Sequence, residues 1–345
     1  MKELISLVQD NFQETLKKWV TKTTGITARK VEVKDVVKKE ELGNKETIAL
    51  YECLFSSEAG IHSYILGLKQ FKTIIEATKE ANGSFLLQEM IKNDSKVLTP
   101  FLQYFSYEYK TIIYDYPVKA EGFYTAKLDE PRKFYLAGRS LPYIHGLEGF
   151  NQIDVDRYMT RVKTAIEGIQ PPDNFFNQVL EFFKEELIQW RVSMGGARCY
   201  RTFGQDSIIY EETEEPFGKS GDDKLDYRKL WLLHPSGINN EKVFDRFEDI
   251  GSFLLEPAYE EFNQHGNLEK TTNNLVFMMN GYNSVLVSTI GIQLQELYKE
   301  GLPITLQLLL RCLEEIAENI GNFQLEEIEK RKEFLQYLIE TPVEY

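Results

Sequence analysis

The chain is poor in the residues that build covalent or metal-held frameworks. It has three cysteines in 345 residues, Cys53, Cys199 and Cys312, and no C-x-x-C pair. So odd and sparse a set excludes a disulfide scaffold and a cysteine zinc site, and predicts reduced, buried thiols. The four histidines, His62, His145, His234 and His265, show no i+2 or i+4 spacing, and H-E-x-x-H is absent, so no local metal motif is present. Positive charge is also short: 40 Lys and Arg face 54 Asp and Glu, a net of −14. That balance argues against general nucleic-acid binding, which depends on neutralising phosphates. No apolar run approaches the roughly 20 residues of a membrane helix. The segment Met1–Asp10 lacks the apolar stretch of a secretory leader, so a cytoplasmic protein is expected. G-x-S-x-G, the P-loop pattern and a post-strand G-x-G-x-x-G are all missing, which argues against esterase, kinase and Rossmann readings. Prolines stand mostly singly between periodic segments, and no Pro/Gly/Ser linker divides the chain. One domain spanning residues 1–345 is therefore predicted.

What is present is a rhythm of helices and strand pairs. Leu4, Leu7, Val8, Phe12 and Leu16 recur at helical spacing and predict a helix over 2–20. Strand-like segments at 26–37 and 46–55 flank Gly43-Asn44 and read as a hairpin. Residues 57–82 and 84–93 read as helices, and 104–116, 121–128 and 132–138 as strands. Helices are expected at 153–169 and 174–191, then a hairpin of 196–203 with 206–212 and a strand at 227–234. A helix follows over 241–265. Residues 273–279 and 282–290 read as a hairpin turning at Asn280-Gly281, the favoured two-residue signal. Helices at 303–320 and 323–340 close the chain. The pattern predicts an α+β fold in which antiparallel strand pairs alternate with helices. Closure into a ten-stranded barrel surrounded by helices would remove the strand edges.

The chemistry must then come from the strands. Aromatic residues make up 13% of the chain, and several lie two residues from a cation: Lys133 and Tyr135, Arg198 and Tyr200, Lys229 and Trp231. Lys110 precedes Tyr114 at the same parity. In a strand, i and i+2 share a face, so each close pair sets a cation beside a ring. Facing solvent, such pairs are ordinary. Facing a lumen, the cations would bind phosphate or diphosphate and the rings could steady a carbocation.

That combination resembles the ABBA aromatic prenyltransferases, in which helix–strand–strand–helix repeats close a ten-stranded barrel around an isoprenyl diphosphate and an aromatic acceptor. The resemblance implies a transferase. Lys110, Lys133, Arg198 and Lys229 would bind the diphosphate, and Tyr114, Tyr135, Tyr200 and Trp231 would shield the cation. Glu52, mid-strand, would be the general base. No cofactor is implied, with Mg²⁺ possible; Asp222-Asp223 sits in a Gly/Ser loop and does not form the helical carboxylate site of terpene synthases. Two other readings stay open. One is a haem-dependent oxygenase, with His145 as axial ligand or Cys199 as thiolate. The other is a non-enzymatic interaction protein, with Leu306, Leu309, Leu310 and Leu313 forming a partner or homodimer face.

Overall fold

The computed structural model describes residues 2–42, 48–91, 97–98, 101–106, 110–116, 130–146, 151–152, 155–169, 174–190, 195–197, 199–201, 203–212, 228–238, 244–290 and 302–343. The chain divides into two compact units, each drawn from two stretches of sequence. The first is Met1–Lys127 with Asp206–Gly237; the second is Leu128–Gln205 with Ile238–Tyr345.

The first unit is built on a five-stranded antiparallel sheet. Helices α1 (Lys2–Asn11) and α2 (Gln13–Thr24) lead into β1 (Glu32–Leu42), β2 (Ile48–Ser57) and β3 (Gly60–Gln70). Then come α3 (Ile74–Ile91), β4 (Val97–Leu98), β5 (Phe101–Ser106) and β6 (Thr111–Tyr116). The strand order is β1-β2-β3-β6-β5, an open sheet and not a barrel. Closure is not how its edge is protected. The edge strand β1 carries Lys34, Asp35, Lys38, Lys39, Glu40 and Glu41 and breaks register twice, between Val33 and Asp35 and between Lys38 and Glu40. Charges and bulges of this kind discourage edge-to-edge pairing.

Both faces of this sheet are covered. On one, Val8 of α1, Phe12 between the helices, and Leu16 and Val20 of α2 pack on Val33, Val36, Cys53, Phe55, Tyr64, Leu66 and Ile113. Each such side chain contributes about 1.5–3 kcal/mol by burial. On the other, Ala81 of α3 joins Ile48, Leu50, Ile65, Ile112, Tyr114 and Leu233. A strand buried on both sides loses its polar–apolar alternation. That is why Tyr64-Ile65-Leu66 of β3 reads as helix in the sequence. The expected break at Asn82-Gly83 is also absent: α3 runs through it. Gly83 serves close approach instead, because a Cβ there would stand 1.8 Å from the Pro235 carbonyl oxygen. The unit is completed by β9 (Ile208–Glu212) and β10 (Arg228–Leu232), antiparallel to each other, with β4 parallel to β10.

The second unit is mostly helical. It contains α4 (Glu130–His145), α5 (Val155–Gly168), α6 (Asn174–Trp190), α7 (Phe247–His265) and α8 (Glu269–Ile290). Helices α9 (Leu302–Asn319) and α10 (Leu325–Glu340) follow. Three short strands, β7 (Asn151–Gln152), β8 (Gly195–Ala197) and β11 (Phe244–Asp245), pair in the order β11-β8-β7. The expected strand at 132–138 is part of α4, and the expected hairpin at Asn280-Gly281 is the middle of α8. Gly281 lets the two helices touch: an added Cβ would lie 2.0 Å from Tyr135 O, and one on Gly138 would lie 1.9 Å from Met278 O. The glycine that signals a turn is here a helix-crossing residue. No described helix is long and apolar enough to cross a membrane.

Candidate functional site

The structure scatters the residues expected to line one barrel. Tyr114 is buried on β6 and Glu52 is half-buried on β2, where Lys39 pairs with it at 2.5 Å. Lys110 is exposed in the β5–β6 turn and donates to the Lys72 carbonyl at 3.0 Å. Lys229 and Trp231 both lie on β10. Lys133 and Tyr135 lie on helix α4, where i and i+2 do not share a face. Tyr200 is buried in the second unit, and Arg198 lies outside the described residues. Among the described residues, the open sheet forms no lumen that gathers the set.

A different cluster forms in the first unit. Lys69 is the penultimate residue of β3 and is only 3% exposed. It shares its face with Gly67, which stands opposite Tyr114 in the β3–β6 register. Glu80, 0% exposed, comes from the buried side of α3, with Ser84 one turn on. Lys69 Nζ lies 3.1 Å from Glu80 Oε2, while Glu80 Oε1 accepts the Tyr114 hydroxyl at 2.9 Å. Tyr114 Oη is also 3.4 Å from Ser84 Oγ. The third partner arrives from the far end of the β9–β10 hairpin. Leu233 N–H donates to Ser207 O at 2.8 Å, which ties the hairpin ends together. The next residue, His234, is buried with Nδ1 2.8 Å from Lys69 Nζ. Its backbone is left-handed at φ 57, an uncommon conformation for a non-glycine residue. Burial, and then the Lys69 charge, push the imidazole down to about 3, so it is neutral. Because Nδ1 accepts from the ammonium, the ring proton sits on Nε2.

The second unit holds its own buried polar cluster, centred on Asp249 of α7. Asp249 Oδ2 accepts Tyr200 N–H at 2.7 Å and His145 Nε2 at 2.9 Å, and Oδ1 accepts Arg201 N–H at 2.7 Å. The bonds hold a loop in which Arg201 has φ 66. Burial lowers the His145 pKa against the opposing pull of Asp249. Neutral His145 then accepts the Tyr282 hydroxyl on Nδ1 at 2.8 Å, and Tyr282 in turn accepts Arg246 Nη1 at 3.2 Å. Cys199 Sγ donates to Asp245 O at 3.0 Å, and its thiol is raised well above normal by burial and nearby carboxylates. These bonds answer the haem expectation: both His145 ring nitrogens are engaged, and the Cys199 thiol is held protonated. His145, Cys199 and Asp249 nevertheless offer ligand atoms within 4.8 Å of one another, close enough to hold a metal ion.

No protein-family model matches the chain. No curated protein matches it by sequence. Solved structures do match in fold. The choline kinase LicA from Streptococcus pneumoniae aligns at a TM-score of 0.50 and 13% identity, covering 95% of this chain and 98% of that one. The fold resembles that of this choline kinase. LicA in complex with AMP aligns at 0.48 and 13%, over 95% and 98% of the two chains. The ADP-bound aminoglycoside phosphotransferase APH(2'')-Ib aligns at 0.44 and 14%, over 95% and 98%. The LicA match and the open sheet overturn the prenyltransferase resemblance, and with it the isoprenyl diphosphate and aromatic acceptor. The same fold stands against the haem-oxygenase and non-enzymatic readings and against the exclusion of a kinase. The missing P-loop and G-x-G-x-x-G tested for other nucleotide folds. The signal that could have found the site is a lysine ending a third strand, followed by a helix with a glutamate on its buried side.

Proposed function

We propose that this protein is a nucleotide-dependent phosphotransferase by class, and that its first unit binds the phosphates of a nucleoside polyphosphate through Lys69. The observation that carries this reading is the Lys69–Glu80 pair at 3.1 Å, between β3 and α3 of a five-stranded sheet. In kinases a lysine on the third strand engages the nucleotide phosphates, and a helix glutamate holds it in place. Glu80 is itself fixed by Tyr114, so the lysine is held on a rigid base. Sheet and helix position such a group more tightly than a loop would. The reading suits an intracellular protein, since Cys53, Cys199 and Cys312 are all buried free thiols.

Kinase chemistry ordinarily adds Mg²⁺, which prefers six oxygen ligands. The His145, Cys199 and Asp249 group offers nitrogen, sulfur and oxygen, a set closer to zinc's preference, so it is not assigned to magnesium.

The test is calorimetric titration with ATP, ADP and GTP, comparing the wild type with Lys69→Met. Loss of the lysine should weaken nucleotide binding at least about tenfold, or about 1.4 kcal/mol. Circular dichroism would establish that the variant is folded. A wild type that gives no saturable heat with any of these nucleotides sinks the reading.

A further inference from the structure

The resemblance to a kinase site stops at the lysine and glutamate. Two further segments carry the acids of phosphoryl transfer in such enzymes. An H-R-D-L-x-x-x-N loop supplies the base and a metal-binding amide, and a D-F-G segment supplies the main metal-binding carboxylate. Here the loop is Tyr200-Arg201-Thr202-Phe203-Gly204-Gln205-Asp206-Ser207, ending directly before β9. Arg201 falls on the motif's arginine and the buried Phe203 on its leucine. Thr202 then stands where the base carboxylate belongs, and Ser207 where the amide belongs. Shifting the pattern back by one residue puts Arg201 in the base's place, so neither register supplies that acid. The segment after β10 reads Leu233-His234-Pro235-Ser236-Gly237, and from Arg228 to Gly237 there is no carboxylate.

His234 does not substitute for the missing acid. A metal needs a lone pair on the imidazole. Nδ1 spends its lone pair on Lys69 Nζ at 2.8 Å, and Nε2 carries the proton. A divalent ion beside this ring would also stand next to the Lys69 ammonium, which repels it. The geometry is held from both sides, by the Leu233–Ser207 hydrogen bond and by the seat of Pro235 on Gly83.

We propose that the Lys69 site takes a nucleoside polyphosphate without a divalent cation. The inference rests on the nucleotide reading above. Lys69 neutralises phosphate charge, and the residue in the place of the metal-binding acid is a neutral ring that excludes the metal.

The experiment is ATP binding by calorimetry in excess Mg²⁺ and again in excess EDTA. The expected result is a Kd in EDTA equal to or tighter than that in Mg²⁺. A Kd at least about tenfold weaker in EDTA overturns the inference while leaving the nucleotide reading standing. No binding in either buffer overturns the nucleotide reading itself, and the inference with it. The gain-of-function arm is His234→Asp, which restores a carboxylate beside Lys69. It should make binding Mg²⁺-dependent by about tenfold. A folded His234→Asp variant with no Mg²⁺ response means that position 234 does not govern the metal, and counts against the inference. The wild-type comparison decides the matter even if the variant does not fold.

Discussion

The two buried polar clusters look alike in composition but differ in what they are bonded to. In the second unit, Asp249 spends its oxygens on two backbone N–H groups and a histidine. In the first unit, Lys69 meets a carboxylate and an imidazole, both of them side chains. Bonds to backbone fix the course of a loop. Bonds among side chains fix the position of a charged group. The difference separates a clamp that shapes the fold from a charge that can be presented to a phosphate. Buried ionisable groups are enriched at functional sites, but burial alone does not identify one.

The comparison breaks most visibly at Asp249. Asp249→Ala would leave the N–H groups of Tyr200 and Arg201 and the His145 ring without their acceptor, a loss of about 3–5 kcal/mol. Urea denaturation would read it as a large fall in midpoint. A loss below about 1 kcal/mol would mean that the loop is not held as described. A smaller effect, and a sharper contrast, comes from two glycines. Gly83→Ala sets a Cβ against the Pro235 carbonyl, and Gly281→Ala sets one against that of Tyr135. Each should cost about 1–3 kcal/mol by overpacking. Only Gly83→Ala should also weaken nucleotide binding, because Pro235 follows His234. Equal effects of both variants on binding would show that general stability, not the His234 segment, controls affinity.

Elements with one buried face were legible in the sequence. Helices α6 and α10 lie close to where their periodicity puts them. Elements whose neighbours set the pattern were not. Covered on both faces, β3 gave no alternation, and α8 was hidden because its β-branched and aromatic residues and Asn280-Gly281 imitate a hairpin. The site was harder still. Lys69 and Glu80 are eleven positions apart on elements of different type, and His234 joins them from 165 residues away. No spacing rule links such residues; only the sheet order does. The cation–aromatic pairs failed for the opposite reason. Their spacing carries meaning only on a strand, and Lys133 and Tyr135 turned out to be helical.

The smallest effect expected is in the pH dependence of stability, where the units pull in opposite directions. His234 in the first unit has its pKa pushed down to about 3 by burial and Lys69. An unfolded histidine titrates near 6.5. Below that value the unfolded chain binds a proton that the native chain refuses, so this contribution is full above about 6.5 and is lost as pH falls toward about 3. Asp245 in the second unit is pushed up to about 7, chiefly by burial. It holds a proton natively that the unfolded chain releases, so its contribution is present at low pH and is lost as pH rises through about 7. Between pH 5 and 7 the wild-type slope is therefore a difference. His234→Gln removes the first contribution while keeping an acceptor for Lys69, and should flatten or reverse the fall in stability on acidification. Asp245→Asn removes the second and should steepen it. Urea midpoints at pH 5, 6 and 7 for the three proteins test both signs. An unchanged slope in His234→Gln would mean that the ring is protonated in the native protein, and that its hydrogen bond from Lys69 does not exist as drawn.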